Sequence, residues 1–362
     1  MTELSDLPIR DDLRGLEPYG APQEHVPVRL NVNENTHPVP EAVATDIVMA
    51  LAQAVMGVNR YPDREFTELR ESLAGYLGHG LRAENLWAAN GSNEVIQQVL
   101  QAFGGPGRSV LGFPPTYSMH PIIAGSTGTR WIDAPRDDAY EISPETVVAA
   151  IERETPDIVF LCAPNNPTGT PLGLDTIVAA YDAHPGILLV DEAYAEFGNG
   201  DTALTLLEGR PRLLVSRTMS KAFAFAGARL GYLAADPAVN DALRLVRLPY
   251  HLSALTQAAA VAALAHAPEM LAMVDDIKRQ RDRIIVGLRD LGYEPLPSGS
   301  NFVLFGGVDD PHAVFEQLLA GGVIIREVSI PNHLRVTAGS EAETGIFLDA
   351  MGRIAALGKI GA

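Results

Sequence analysis

Four polar segments in the middle of the chain contain residues that suit different atoms of one cofactor. They are APNNPTG (163–169), LLVDEAY (188–194), TMSKAF (218–223) and GARLGY (227–232). A lysine can form a Schiff base with pyridoxal 5'-phosphate, and an aspartate can keep its ring nitrogen protonated. An asparagine and a tyrosine can hydrogen-bond the ring's phenolate oxygen, and an arginine can balance the phosphate. The segments supply one residue for each of these roles, namely Asn166, Asp191, Tyr194, Lys221 and Arg229.

Lys221 is the lysine that we expect to carry the cofactor. A lysine that forms a Schiff base must be partly neutral, which requires desolvation or a nearby cation. Its neighbours in SKAFAFAGAR are small or aromatic, and Arg229 follows in the same segment. A surface lysine is the alternative, but this segment has no charged face. The other lysines, Lys278 and Lys359, lie in a charged helical run and near the C-terminal end.

Asp191 ends an apolar run, where a strand would deliver its carboxylate to the edge of a sheet. The same position would suit a helix N-cap, which is common for aspartate. Asn166 could equally be a turn residue, for which asparagine and proline are favoured. Tyr194 lies three residues after Asp191, and a cap alone would not require it. We therefore predict that Asp191, Tyr194 and Lys221 are catalytic and that Asn166 binds the cofactor.

NGSNE (90–94) is predicted to open a helix directly after a strand, which would make an anion cradle of backbone amides. Tyr117, at the end of another predicted strand, could stack on the pyridine ring or could be an ordinary core tyrosine. We predict no metal site. The candidate phosphate ligands are Ser92, Asn93, Thr218, Ser220 and Arg229.

From Leu86 onward, short apolar runs alternate with helical patterns, which predicts an α/β fold. Its large domain should contain a mostly parallel sheet covered by helices on both faces, with the ligand at the carboxyl ends of the strands. Residues 237–291 are predicted to be almost continuously helical, with breaks at Pro249 and Pro268. The pattern that follows favours a smaller α+β domain. The predicted boundaries are 29–247 for the large domain and 1–28 with 248–362 for the small one. The strand candidates are 86–90, 109–113, 129–133, 157–162, 186–191, 212–217 and 230–236, followed by 301–306, 323–328 and 333–338.

Composition limits the partners and the compartment. The chain has 362 residues, 47% hydrophobic and 20% charged, with a formal net charge of −18. That charge argues against nucleic acid and acidic membranes as partners. A single cysteine, Cys162, fits a reducing cytoplasm and a buried core position. Neither a signal peptide nor a transmembrane helix is expected, so we predict a cytoplasmic protein.

Together these segments resemble the fold-type I aminotransferases, and the resemblance covers nearly the whole chain. LNVNEN, NRYPD, RTMSKAFAFAGARLGY, SNFVLF and LRVTAG are similar to the actinobacterial histidinol-phosphate aminotransferase family. The resemblance implies a homodimer in which Tyr61 reaches the partner's cofactor phosphate. It also implies five substrate-binding residues, which are Tyr19, Asn33, Tyr250, Arg326 and Arg335.

The resemblance implies that pyridoxal phosphate serves transfer of an amino group between L-histidinol phosphate and 2-oxoglutarate or glutamate. Arg335 would bind the carboxylate of glutamate, and with Arg326 it could accept the substrate phosphate. The segment NENTHP differs from the family's usual NENP at Thr36 and His37. An aromatic amino acid aminotransferase, a decarboxylase on the same fold and a non-catalytic nucleotide-binding protein are the alternatives.

Overall fold

The computed structural model describes residues 6–15, 18–20, 22–198 and 202–360. The strands are β1 (Val28–Arg29), β2 (Leu86–Ala89), β3 (Ser109–Gly112), β4 (Arg130–Asp133), β5 (Ile158–Cys162), β6 (Ile187–Asp191), β7 (Leu213–Thr218), β8 (Gly231–Ala234), β9 (Glu294–Pro295), β10 (Phe302–Gly306), β11 (Val323–Ile324), β12 (Arg326–Glu327) and β13 (Leu334–Thr337). The α-helices are α1 (Glu41–Val55), α2 (Thr67–Leu77), α3 (Ser92–Phe103), α4 (Met119–Ser126), α5 (Pro144–Glu154), α6 (Leu174–Ala183), α7 (Pro237–Val246), α8 (Ala254–Ala265), α9 (Ala267–Asp290), α10 (Pro311–Ala320) and α11 (Glu341–Ile360).

A seven-stranded sheet has the order β2-β8-β7-β6-β5-β3-β4. Neighbours from β7 to β4 are parallel, whereas β8 is antiparallel to both β7 and β2. The strands β5 and β7 are buried along their whole length, as expected for apolar strands covered on both faces. The predicted mostly parallel α/β sheet flanked by helices is confirmed.

The register of this sheet places the ends of three parallel strands side by side. Cys162 pairs with Asp191, and Asp191 pairs with Ser216. The polar segments that follow β5, β6 and β7 therefore leave the sheet at one edge, which is where an α/β sheet binds its ligand.

Helix starts follow the capping signals in the sequence. The hydroxyl of Ser143 accepts a hydrogen bond from the Thr146 amide, and Pro144 occupies the first turn of α5. Asp236 caps α7 in the same way, with Pro237 in its first turn. These caps fix where each helix begins relative to the strand before it.

The C-terminal part contains a four-stranded sheet of order β12-β13-β10-β9, in which neighbouring strands are antiparallel. The short strand β1 pairs with β11 in a separate parallel pair. In the four-stranded sheet, Arg326 of β12 lies directly opposite Arg335 of β13.

Two predicted elements differ in detail. The predicted strand at 323–328 is divided at Ile325, because β11 pairs with β1 whereas β12 pairs with β13. The helical region 237–291 is interrupted between Val246 and Ala254 and again at His266. Pro268 does not break a helix but lies in the first turn of α9, where its missing N–H is no loss.

In the described ranges, no helix taken singly has the length and apolar character needed to cross a membrane. One pair, α8 with α9, meets that criterion jointly by length and composition, and is bent by 77°.

Candidate active site

A cavity of about 310 Å³ opens at the carboxyl ends of β5, β6 and β7. Its wall contains every predicted site residue except Tyr61 and Tyr250. These residues are Tyr19, Asn33, Ser92, Asn93, Tyr117, Asn166, Asp191, Tyr194, Thr218, Ser220, Lys221, Arg229, Arg326 and Arg335. The structure therefore brings together segments that are more than three hundred residues apart in the sequence.

Lys221 is enclosed by protein, with part of its side chain facing the cavity. Its Nζ donates a hydrogen bond of 3.2 Å to the carbonyl of Val32. Burial, followed by the positive charges of Arg335 and Arg229, lowers the pKa of this amine to about 8, while Glu34 opposes the shift. The neutral amine is therefore still the minor form at neutral pH, but its fraction is far larger than for a lysine with the ordinary pKa of 10.5.

Asp191 lies in a buried polar cluster beneath the cavity. One carboxylate oxygen is 3.1 Å from Nε2 of His120, and the other accepts a hydrogen bond of 3.1 Å from the Ser216 hydroxyl. Both His120 and Asp191 are buried. This geometry orients the carboxylate through its neighbours and not through a helix cap.

The phenol of Tyr194 is held by two asparagines. Its oxygen accepts hydrogen bonds from Nδ2 of Asn33 at 2.9 Å and from Nδ2 of Asn166 at 3.4 Å. Asn166 in turn accepts a 2.6 Å hydrogen bond from Nη1 of Arg335. Burial raises the pKa of the Tyr194 phenol above its usual range, so it stays protonated and can donate to a ligand.

The start of α3 faces the guanidinium of Arg229. Gly91 precedes the helix with φ of 89°, and a Cβ built there would lie 2.5 Å from Nη2 of Arg229. The first amides of α3, those of Ser92 and Asn93, have no partner within the helix. Arg229 Nη1 lies 3.5 Å from the Ser220 hydroxyl. Backbone donors, a hydroxyl and a cation thus converge as a phosphate would require.

Arg326 and Arg335 lie on adjacent strands, β12 and β13, and both line the cavity. Like charges directly opposite each other in a sheet are destabilising. Neither guanidinium forms an ion pair with a carboxylate among the described residues. The buried Nε of Arg335 has no hydrogen-bond partner in the structure, and burial lowers the pKa of this arginine to about 10. An anionic ligand would satisfy both groups.

Tyr61 and Tyr250 do not line the cavity of their own chain. Their rings stack on each other with centroids 4.4 Å apart and planes inclined by 13°. Tyr61 is 80% exposed and Tyr250 is also exposed. The structure therefore groups these two predicted residues with each other and not with the other site residues.

His120 and Glu34 are site residues that the sequence interpretation missed. His120 lies on α4, three residues after Tyr117, and contacts Asp191 only through the fold. Glu34 lies inside the quoted LNVNEN motif and lines the cavity. Cys162 also lies against the cavity, and burial raises the pKa of its thiol to about 12, in agreement with its predicted core position.

The donor set matches pyridoxal phosphate group by group. Lys221 offers an amine of lowered pKa, and Asp191 offers an oriented, buried carboxylate. The phenol of Tyr194 and the cradle at Gly91 lie in the wall of the same cavity or directly beside it. The orphaned Nε of Arg335 leaves a further donor for a substrate anion.

The fold and the site together define an aminotransferase. The profile of the family "Aminotransferase class I and II" matches residues 26–351, and the chain belongs to that family.

The three relatives described next are all named histidinol-phosphate aminotransferase. The chain is 60% identical to a histidinol-phosphate aminotransferase of Paenarthrobacter aurescens, over 97% of this chain and 96% of that protein. It is 56% identical to a protein of the same name from Thermobifida fusca, over 96% and 95% of the two chains. A crystal structure of histidinol-phosphate aminotransferase from Sinorhizobium meliloti, in complex with pyridoxal-5'-phosphate, superposes with a TM-score of 0.86 at 28% identity, covering 96% and 97%.

Proposed function

We propose that this aminotransferase transfers the amino group between L-histidinol phosphate and 2-oxoglutarate or glutamate, as a step of histidine biosynthesis. The observation that carries the proposal is the 60% identity, over nearly the full length of both chains, to a histidinol-phosphate aminotransferase. The two facing arginines, Arg326 and Arg335, are compatible with substrates that carry a phosphate or a second carboxylate.

Pyridoxal phosphate would supply, when bound, an electron sink for the electron pair left when the substrate's Cα–H bond breaks. We propose that Lys221 attaches it and that Asp191, oriented by His120, holds the proton at its ring nitrogen. Tyr194 and Asn166 would hydrogen-bond the phenolate oxygen, and Tyr117 would stack on the ring. The phosphate would be bound by the Ser92 and Asn93 amides with Thr218, Ser220 and Arg229.

Lys221 has a second proposed role, which is to move a proton. Once its amine is free, its lowered pKa lets Nζ accept the proton from the substrate's Cα near neutral pH. The hydrogen bond to Val32 restricts where Nζ can lie. Its neighbours Arg335 and Arg229 disfavour the protonated form, so the proton can be given up again.

The substrate would be held by Arg335, Arg326, Tyr19 and Asn33, which line the same cavity. Arg335 is fixed by hydrogen bonds to Asn166 and to the carbonyl of Asn31 at 2.9 Å. Its guanidinium also lies 5.1 Å from the centre of the Phe302 ring. A guanidinium restrained in this way binds a carboxylate or phosphate with little loss of side-chain entropy.

We propose a homodimer whose interface covers an exposed apolar patch on α1, α8 and the segments beside them. Met56 is 81% exposed and Leu248 is 76% exposed, and patches of this kind mark association surfaces. The stacked Tyr61 and Tyr250 lie among these residues and would enter the partner's site. The patch comprises Val48, Met49, Val55, Met56, Val58, Leu245, Leu248 and Leu255.

The proposed domains keep the predicted boundaries, with a large unit at 29–247 and a small unit formed by 1–28 with 248–362. In support, β2 to β8 all lie within the first range and β9 to β13 within the second. Residues 1–5, 16, 17, 21, 361 and 362 of the small unit lie outside the described residues. We also propose a cytoplasmic location, on the basis of the single buried cysteine.

The test of the substrate compares L-histidinol phosphate with L-phenylalanine, each with 2-oxoglutarate as acceptor. We expect the purified protein with pyridoxal phosphate to have a kcat/KM at least about tenfold higher for L-histidinol phosphate, since its phosphate would engage both Arg335 and Arg326, whereas phenylalanine offers a single carboxylate to Arg335. A higher value for phenylalanine would favour the aromatic aminotransferase. Release of carbon dioxide from a phosphorylated amino acid would indicate the decarboxylase.

A further inference from the structure

Glu34 is an acidic residue in a cavity that otherwise gathers positive charge. The residues that line it include two acidic ones, Asp191 and Glu34, and four cationic ones, which are Lys221, Arg229, Arg326 and Arg335. The negative charge of Glu34 is close enough to act on the amine of Lys221. Asp191 is engaged by His120 and Ser216. The carboxylate of Glu34 forms no hydrogen bond or ion pair within the described ranges. None of the proposed steps of transamination uses it.

The backbone that carries Glu34 is held firmly on both sides. Asn33 donates its amide to Oγ1 of Thr337 at 3.0 Å, and its side chain bonds Tyr194. Asn301 donates from Nδ2 to the Asn33 carbonyl at 3.0 Å. On the other side, Asn35 donates from Nδ2 to the carbonyl of Ala222, next to Lys221, at 3.2 Å. The backbone at Glu34 is therefore held in place beside the cavity, and its carboxylate is left available to a ligand.

A free carboxylate in this place is unfavourable for most of what the site must bind. Both 2-oxoglutarate and glutamate carry two carboxylates, and L-histidinol phosphate carries a phosphate, so Glu34 repels part of each ligand. L-Histidinol phosphate differs from the others in one respect, because its imidazole ring has an N–H donor. A charged acceptor that meets such a donor gives discrimination against rings without it.

We propose that Glu34 accepts a hydrogen bond from the ring N–H of the substrate's imidazole and thereby selects imidazole over other aromatic rings. This inference rests on the proposed function. It assigns the choice of ring to Glu34 and leaves the recognition of the phosphate to Arg326 and Arg335.

Two other roles of Glu34 make different predictions. If Glu34 bound the substrate's ammonium group, it would act on every amino donor, glutamate included. If it acted only through Lys221, its removal would lower the pKa of that amine further and shift the pH profiles of both half-reactions alike. A ligand that has the imidazole ring and the phosphate but no amine tests recognition of the ring alone. It has no ammonium group for Glu34 to bind, and it undergoes neither half-reaction.

The test measures, by calorimetry at pH 8, the binding of two such ligands to the holoenzyme. They are 3-(imidazol-4-yl)propyl phosphate and 3-phenylpropyl phosphate. We expect wild type to bind the imidazole ligand about 10–100-fold more tightly, as for a hydrogen bond to a charged group. Glu34→Ala should reduce this ratio to near one, and Glu34→Gln, which keeps an acceptor oxygen, should give an intermediate ratio. Glu152→Gln, on the exposed face of α5, removes the same charge elsewhere and should leave the ratio unchanged.

The inference is wrong if Glu34→Ala keeps the wild-type ratio, or if it weakens both ligands equally. The melting temperature of the holoenzyme serves as a check on folding, and it should be the same in Glu34→Ala as in wild type, because Glu34 is an exposed residue. If wild type does not turn over L-histidinol phosphate, the substrate assignment fails and this inference fails with it. If wild type turns it over but the ring preference does not depend on Glu34, only the inference fails.

Discussion

At the scale of single residues, the amine of Lys221 determines how the site responds to pH. Its pKa is lowered from 10.5 to about 8, chiefly by burial and then by Arg335. Only the neutral amine is nucleophilic, so the rate of cofactor attachment to the cofactor-free protein should rise with pH and level off above about pH 8. Stopped-flow absorbance of recombination at several pH values measures this midpoint. A midpoint near the ordinary lysine value of 10.5 would contradict the environment described for Lys221.

Because His120 acts through Asp191, substitution of His120 should weaken the binding of the cofactor. His120→Phe removes the 3.1 Å contact to the carboxylate and leaves Asp191 oriented by Ser216 alone. We expect pyridoxal phosphate to bind about tenfold more weakly, because a buried charged acceptor loses a partner. Fluorescence titration of the cofactor measures the change. His312→Gln, at an exposed histidine, is the control, and equal affinities in the two variants would exclude the role of His120.

Substitutions of Arg335 and of Arg326 should affect the two amino donors differently. Arg335→Lys keeps the charge but loses the planar donor set, so kcat/KM should fall about tenfold or more for both glutamate and L-histidinol phosphate. Arg326→Gln should lower kcat/KM mainly for the phosphorylated substrate. Steady-state kinetics with each amino donor distinguishes the two patterns. A larger effect of Arg326→Gln on glutamate would reverse the assignment.

At the scale of elements, the turn from β2 into α3 shapes the phosphate cradle. Gly91→Ala would force a side chain into a left-handed conformation and to within 2.5 Å of Nη2 of Arg229. We expect a loss of about 1–2 kcal/mol in the free energy of unfolding together with weaker cofactor binding. Urea unfolding and cofactor titration measure the two effects.

Gly78 supplies the matched control for this turn. It has φ of 68°, and a Cβ there would have no atom within 4 Å. Gly78→Ala should therefore lose a similar amount of stability and keep wild-type affinity for pyridoxal phosphate. If both variants bind the cofactor equally well, the approach of Gly91 to Arg229 does not matter for the phosphate.

The sequence was sufficient for the elements whose signals are local. Apolar runs followed by polar residues predict the strand ends that position Asp191 and Lys221. A glycine followed by small polar residues predicts the start of α3. The contact between His120 and Asp191 joins residues that are 71 positions apart, so no local sequence pattern predicts it. The division of 323–328 between two sheets likewise depends on pairing with β1 and β13, which periodicity does not report.

At the scale of the whole molecule, the apolar patch on α1 and α8 should decide the assembly. Met56→Glu places a charge in the centre of the proposed interface, where no partner is available to it. We expect a monomer in sedimentation at micromolar concentration, with pyridoxal phosphate bound about tenfold more weakly because the partner's Tyr61 is absent. Val286→Glu, at an exposed valine of α9, should sediment as wild type. A Met56→Glu variant that remains dimeric would place the interface elsewhere.

The net charge of −18 affects how anionic substrates reach the site. Anionic substrates must enter against the overall field and are held by a few local cations and helix amides. The burial of Arg335 and the enclosure of Lys221 strengthen these local interactions, since they are poorly screened by solvent. The cavity is therefore positively charged within a negatively charged protein.

Borohydride reduction shows which lysine carries the cofactor, because it converts the Schiff base into a stable pyridoxyl-lysine. The holoenzyme is reduced, digested and mapped by mass spectrometry for a pyridoxyl-modified peptide. We expect one modified residue, Lys221, in the peptide containing TMSKAF, and no modification in a Lys221→Ala variant. A label on Lys278 or Lys359, or no label at any lysine, would contradict the role proposed for Lys221.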